Sequence, residues 1–171
     1  MRRVFVTVGS TQFDALVQAV LSPDVLHALS SKGFTRLVLQ SGNSASMNSE
    51  QLALLEASYS NLAIDVWKFK ASLEEEVKEA DLVVSHAGSG TILEVLRMGK
   101  LLIVVPNPTL LDNHQQELAD ALVERGHLRA ASVQSLASVI AGMDASSIVP
   151  FPEVNSSRFR GLIDERLGFT A

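Results

Sequence analysis

The sequence predicts an α/β protein built on a doubly wound parallel sheet of the Rossmann-like kind. Three observations carry this. Short apolar runs, clearest at residues 82–84 and 101–105, are almost uninterrupted, as expected for strands covered on both faces. Segments with apolar residues at helical spacing separate those runs. Glycines stand where two of the runs give way to helix, at Gly9 and at Gly88 and Gly90. In such sheets ligands bind beyond the carboxyl ends of the strands, where strand order reverses, so both glycine turns are expected on one crevice.

Taken in order, residues 3–8 form a first strand, followed by a Gly9-Ser10-Thr11 turn and a helix from about Phe13. Pro23 opens a new helical turn with Ser22 as its cap. Residues 37–40 are a second strand, and the polar stretch 41–49 is the expected mobile loop. Residues 51–57 are helical, and 63–69 alternate as a third strand. Ser72 caps a short acidic helix to Glu79, with Glu75 at the capping-box position. After strand 82–84, HAGSGT (residues 86–91) leads into a helix and then strand 101–105. An amphipathic helix over 112–125 is closed by Gly126. A short strand at 127–131, a helix at 132–143, a proline-flanked link at 149–154 and a final helix at 156–167 complete the chain. The expected division is a nucleotide-binding domain over 1–148 and a link plus helix over 149–171.

The 171 residues suit one domain, and 47% hydrophobic content excludes disorder. A net charge of −5 and 5% aromatics argue against a nucleic-acid surface. No cysteine is present, which excludes disulfides and thiolate metal sites and fits a reducing compartment. The five-residue apolar stretch after Arg2 and Arg3 is too short for a signal peptide, and no window is apolar enough to span a membrane. The expectation is a soluble protein held at any membrane by something else.

The glycine turn at 86–91 points to a phosphate, because backbone N–H groups at a helix start attract an anion. A P-loop is excluded, since the only Gly-Lys pair, Gly99-Lys100, is followed by Leu101. The dinucleotide fingerprint lacks its third glycine in both turns, which argues against an NAD enzyme. No Asp-x-Asp pair is available for a metal-dependent sugar transferase. A diphosphate site without metal or cofactor remains. Its donors are backbone amides, the hydroxyls of Ser89 and Thr91, and His86. Glu94 stands three residues past Thr91 on the same helical face, where a carboxylate can accept from both ribose hydroxyls.

The strand-GST start, HAGSGTILE in the middle and LDNHQQELA (residues 111–119) after the next strand resemble the donor-binding, carboxyl-terminal half of GT-B glycosyltransferases. The chain resembles the catalytic-subunit family of the eukaryotic UDP-N-acetylglucosamine transferase of asparagine-linked glycosylation. That family moves GlcNAc from UDP-GlcNAc to dolichol-diphosphate-GlcNAc. Its donor half is similar to the carboxyl-terminal domain of the bacterial enzyme that makes lipid II. The resemblance covers residues 4–128 and implies roles residue by residue. Gly9, Ser10 and Thr11 face the diphosphate and the reacting centre. Phe69 and the Lys70 backbone lie where the bacterial relative holds uracil. His86, Gly88, Ser89, Gly90 and Thr91 cradle the diphosphate, and Glu94 holds the ribose. Asn113, Gln115 and Gln116 reach hydroxyls of the GlcNAc. The bacterial enzyme has arginine where this chain has His86, so the charge brought to the phosphates is weaker and pH-dependent.

Simpler roles stand beside these. Gly9-Ser10-Thr11 is also compatible with an ordinary turn in which Thr11 caps the helix. Asp112 or Asn113 can cap the following helix, with Gln115 or Gln116 completing a capping box. His27, His114 and His127 fit surface or helix-end positions, Trp67 and Phe69 fit the core, and Glu74 to Glu76 fit a solvated helix face. No general base for the acceptor hydroxyl is identifiable. The resemblance therefore implies a membrane-anchored, acceptor-binding partner subunit, a cytoplasmic location, and recruitment to the cytosolic face of the endoplasmic reticulum. The alternative is a non-catalytic sugar-nucleotide-binding module.

Overall fold

The computed structural model describes residues 2–45, 47–109 and 113–152, with the side chains of residues 113–115 excluded. Its strands are β1 (Arg2–Thr7), β2 (Phe34–Gln40), β3 (Ala63–Trp67), β4 (Leu82–His86), β5 (Leu101–Val105) and β6 (Arg129–Ala130). Its helices are α1 (Asp14–Val20), α2 (Pro23–Ser31), α3 (Ser49–Ser58), α4 (Glu74–Glu79), α5 (Ser89–Arg97), α6 (Asn113–Glu124) and α7 (Leu136–Gly142). All strand pairs are parallel, in the order β3-β2-β1-β4-β5-β6. This is the expected Rossmann-like sheet. Its direction reverses between β1 and β4, so the crevice falls between their carboxyl ends.

The two-residue alternation of the strands builds two cores. Val4 and Val6 of β1, Leu37 and Leu39 of β2, Val84 of β4 and Ile103 of β5 face α1, α2 and α7. Phe5, Val38, Val83, Leu102 and Val104 face α4, α5 and α6. Each central strand is apolar on both faces, which is why its sequence reads as a run. The register aligns Thr7 with Gln40 and Ser85, and Gln40 with Trp67. Four strands therefore end at one level, and their exit loops meet above it.

Several expectations change. β2 begins at Phe34, three residues early, because the exposed Thr35 and Arg36 hide the strand pattern. The helix expected over 132–143 begins at Leu136. Ser132 and Ser135 exchange N–H to Oγ bonds of 2.9 and 3.1 Å, and such local bonds displace the first helical turn. The Ser72 hydroxyl accepts from Glu74 N–H at 3.2 Å, but Leu73 is the residue that precedes α4, and Glu75 forms no capping box. The capping box belongs to α3, between Asn48 and Gln51. His127 is buried rather than superficial. Its Nδ1 lies 2.9 Å from the Val149 carbonyl and its ring packs edge-on against Phe151. These contacts tie the start of the 149–154 link to the body. The expected helix over 156–167 lies outside the described residues. Among those described, no helix is long and apolar enough to cross a membrane.

Candidate functional site

β1 and β4 deliver the two glycine turns side by side, and one imidazole separates them. His86 ends β4 with 8% of its surface exposed. A Cβ on Gly9 would lie 2.6 Å from its Cε1, and a Cβ on Gly88 would lie 2.5 Å from its Nε2. Both turns therefore rest on the ring. Gly9 also needs its φ of +62°, whereas Gly88 has an ordinary φ of −70°, so at position 88 the ring alone demands glycine. The Nδ1 atom is buried without a hydrogen-bond partner. Burial pushes the His86 pKa below the usual 6.5, with the Thr7 backbone opposing the shift. Burial thus favours the neutral form of the ring.

Positive potential comes instead from α5. Gly88 occupies its N-cap position with no side-chain cap, and among the described residues no side chain takes the first-turn amides of Ser89, Gly90 and Thr91. Ser89 and Gly90 are exposed, and Gly88 and Thr91 are half-buried. The residues that carry these donors are therefore not sealed in the core. Glu94 lies one turn further, half-buried; among the described residues its carboxylate forms neither an ion pair nor a hydrogen bond.

The Gly9-Ser10-Thr11 turn is not a helix cap. Phe13 holds the N-cap position of α1, and the Thr11 hydroxyl donates to the Val8 carbonyl at 2.7 Å. The turn is instead gripped by the exit loop of β2, expected to be mobile. Asn43 donates from Nδ2 to the Ser10 carbonyl at 2.9 Å and from its backbone to the Thr11 carbonyl at 3.3 Å. The buried Ser44 hydroxyl accepts from Phe13 N–H at 2.7 Å. Asp14 accepts from Ala45 N–H and from the Gln12 amide, which hold its carboxyl below the usual carboxylate range. Gly42, at φ +56°, packs where a Cβ would lie 2.7 Å from the Gly9 carbonyl oxygen. Gly42 and Asn43 were missed because polar composition alone suggested a free loop, and Gln40 because it was read only as the last residue of a strand. The usable signal was a third strand-then-glycine turn, Gln40-Ser41-Gly42, matching the other two.

On the β3 side, Phe69 is 55% exposed beyond the strand end. Lys70 places its ammonium 4.6 Å from the centre of the Trp67 ring, and Trp67 stacks on Phe5 at 6.2 Å. Glu76, expected on a solvated face, is 7% exposed and joins Lys70 to Arg3 through ion pairs with both. Burying the carboxylate is tolerable because two cations meet it. Arg3 also pairs with Glu79.

On the β5 side, Asn113 and Gln115 lie in the first turn of α6, and their side chains fall outside the described residues, as does Asp112. Gln116 is exposed and donates from Nε2 to Asp120 of its own helix at 2.8 Å. A cleft of about 1090 Å³ opens beside this strand, lined by residues 11–15, 106–109 and 130–135. It shares Thr11 with the glycine turns but does not include residues 88–91.

Residues 3–165 match the model of the glycosyltransferase family 28 C-terminal domain. The chain is 34% identical to UDP-N-acetylglucosamine transferase subunit ALG13 of Cryptococcus neoformans, over 97% of this chain and 96% of the relative. It is 45% identical to human UDP-N-acetylglucosamine transferase subunit ALG13 over 75% of this chain, and spans only 11% of that relative's length. A solution NMR structure of ALG13 superposes with a TM-score of 0.67 at 28% identity, covering 94% of each chain. The chain belongs to the glycosyltransferase family 28 C-terminal domain family.

Proposed function

We propose that this chain is the donor-binding catalytic subunit of an inverting, metal-independent transferase. It moves GlcNAc from UDP-GlcNAc to dolichol-diphosphate-GlcNAc, the second sugar of the N-glycan precursor. The observation that carries the reading is the uncapped, solvent-facing N-terminus of α5 set beside the Gly9 turn across His86. Phosphate oxygens bridging the two turns accept from Ser89, Gly90 and Thr91 amides, aided by the Ser89 and Thr91 hydroxyls and by Ser10. As the anomeric C–O bond breaks, negative charge grows on the departing UDP. Fixed dipoles stabilise that charge more in the transition state than in the ground state. Phe69 and the Lys70 backbone take the uracil, Glu94 the ribose, and Asn113, Gln115 and Gln116 the sugar hydroxyls.

The acceptor hydroxyl needs a base, and no residue of this chain is assigned that role. A membrane-anchored partner subunit provides it, together with the acceptor site and recruitment to the cytosolic face of the endoplasmic reticulum. Residues 1–148 form the nucleotide domain and 149–171 the element available to that partner. The test is transfer of label from UDP-GlcNAc to a GlcNAc-diphosphate lipid, with and without the membrane subunit. Transfer only with both supports the reading. Saturable UDP-GlcNAc binding with no transfer even when the partner is present identifies a sugar-nucleotide-binding module instead. Tighter binding of NAD than of UDP overturns both.

A further inference from the structure

Gln40 is 2% exposed at the carboxyl end of β2, the strand lying between β1 and β3. Its side-chain amide is fully engaged. Oε1 accepts from the Thr7 hydroxyl at 2.5 Å, while Nε2 donates to the Gly9 carbonyl at 2.8 Å and to the Lys68 carbonyl at 2.7 Å. The orientation is fixed by chemistry, because two carbonyl oxygens can only accept and so demand the NH₂ end. Thr7 in turn accepts from Gly9 N–H at 3.0 Å. One amide thus joins the turn after β1 to the loop after β3.

Resting on the donor-site reading above, we infer that Gln40 is a positioning residue that fixes the spacing between the diphosphate turn at Gly9 and the uracil loop at Lys68 to Lys70. The two subsites come from strands that do not touch, since β2 separates β1 from β3. The exit loop of β2 reaches the turn after β1 through Asn43, which donates to the Ser10 and Thr11 carbonyls. Backbone bonds hold the middle of the crevice, through Ser41 N–H to the Trp67 carbonyl at 2.9 Å and Gly42 N–H to the Lys68 carbonyl at 3.2 Å. The direct link from the Gly9 carbonyl to the base loop is the Gln40 amide. A nucleoside diphosphate must engage both loops at once, so their preset spacing raises affinity for the whole ligand while leaving affinity for the nucleoside alone unchanged.

The test uses the full chain and compares UDP with uridine. Dissociation constants are measured by calorimetry for UDP and by ligand-observed NMR for uridine, in wild type, Gln40→Met and Thr7→Val. Thr7→Val serves if Gln40→Met does not fold, since it removes both the bond that orients the amide and the Thr7–Gly9 bond. The expected result is a fall of about tenfold in UDP affinity, the scale of one lost buried hydrogen bond, with uridine affinity held within about twofold. A parallel fall for both ligands, or no change for UDP, overturns the positioning role and leaves Gln40 as a fold-stabilising residue. If wild-type chain binds no UDP, the donor-site reading itself fails, a result distinct from either variant outcome.

Discussion

The His86 ring occupies the volume that a Cβ on Gly88 would need, 2.5 Å from Nε2. Gly88 has a backbone conformation open to any L residue, so its identity is set by this contact and not by φ. Gly88→Ala therefore behaves as an overpacking substitution and should cost about 2 kcal/mol. His86→Ala removes the obstacle, so in that background the same change should cost less than about 0.5 kcal/mol. A double-mutant cycle from urea unfolding measures the coupling. Equal costs in both backgrounds would show that the ring is not the constraint.

Burial of the same ring makes stability depend on pH. Its folded pKa lies below the ordinary 6.5, so the unfolded chain binds the proton more readily. The stabilisation is fully present above pH 6.5 and is lost as pH falls through that value towards the folded pKa. Unfolding free energy should begin to drop as pH falls through about 6.5, above the range in which most carboxylates titrate. His86→Asn should flatten this slope, whatever its effect on absolute stability. An unchanged slope in the variant would place the titrating group elsewhere.

The sheet was legible because each central strand is apolar on both faces, and the crevice followed from the two glycine turns that end β1 and β4. The start of the helix at Ser89 was legible for the same reason, as glycine marks where a strand gives way to a helix. Gln40 and Glu76 were not. Both are polar residues buried through long-range partners, Gln40 with Gly9 and Lys68, and Glu76 with Arg3 some seventy positions away. A local pattern records that such residues are polar, and polarity alone suggests solvent. His86 was placed at the turn, but the burial that lowers its pKa was not legible, because it depends on the Gly9 and Gly88 backbones packing on the ring.

Glu76 gives the clearest contrast between buried and exposed charge. Its carboxylate and the Arg3 guanidinium are both largely buried, and Arg3 Nε already lacks a partner. Glu76→Ala leaves that guanidinium to Glu79 alone, and should cost about 3 kcal/mol. Lys70 is half-exposed, so Lys70→Met should cost less than about 1 kcal/mol. Chemical denaturation of both variants tests the difference. Added salt should erode the small Lys70 contribution more than the large one, because buried pairs are screened less.

Glu94 tests the nucleotide reading at the level of one hydroxyl. Glu94 is half-buried, a turn into the helix whose N-terminus is proposed to hold the phosphates, and its carboxylate has no protein partner among the described residues. A ribose 2′-hydroxyl that donates to it would form a charge-assisted bond, so Glu94→Ala should weaken donor binding about tenfold or more. The loss should appear in KM for UDP-GlcNAc with little change in kcat, since the ribose is held equally in ground and transition states. The sharper measurement uses 2′-deoxy-UDP. Wild type should bind it about tenfold more weakly than UDP, and Glu94→Ala should bind the two alike. Should the variant keep the full discrimination against the deoxy ligand, the 2′-hydroxyl is recognised by another group, and Glu94 has no part in holding it.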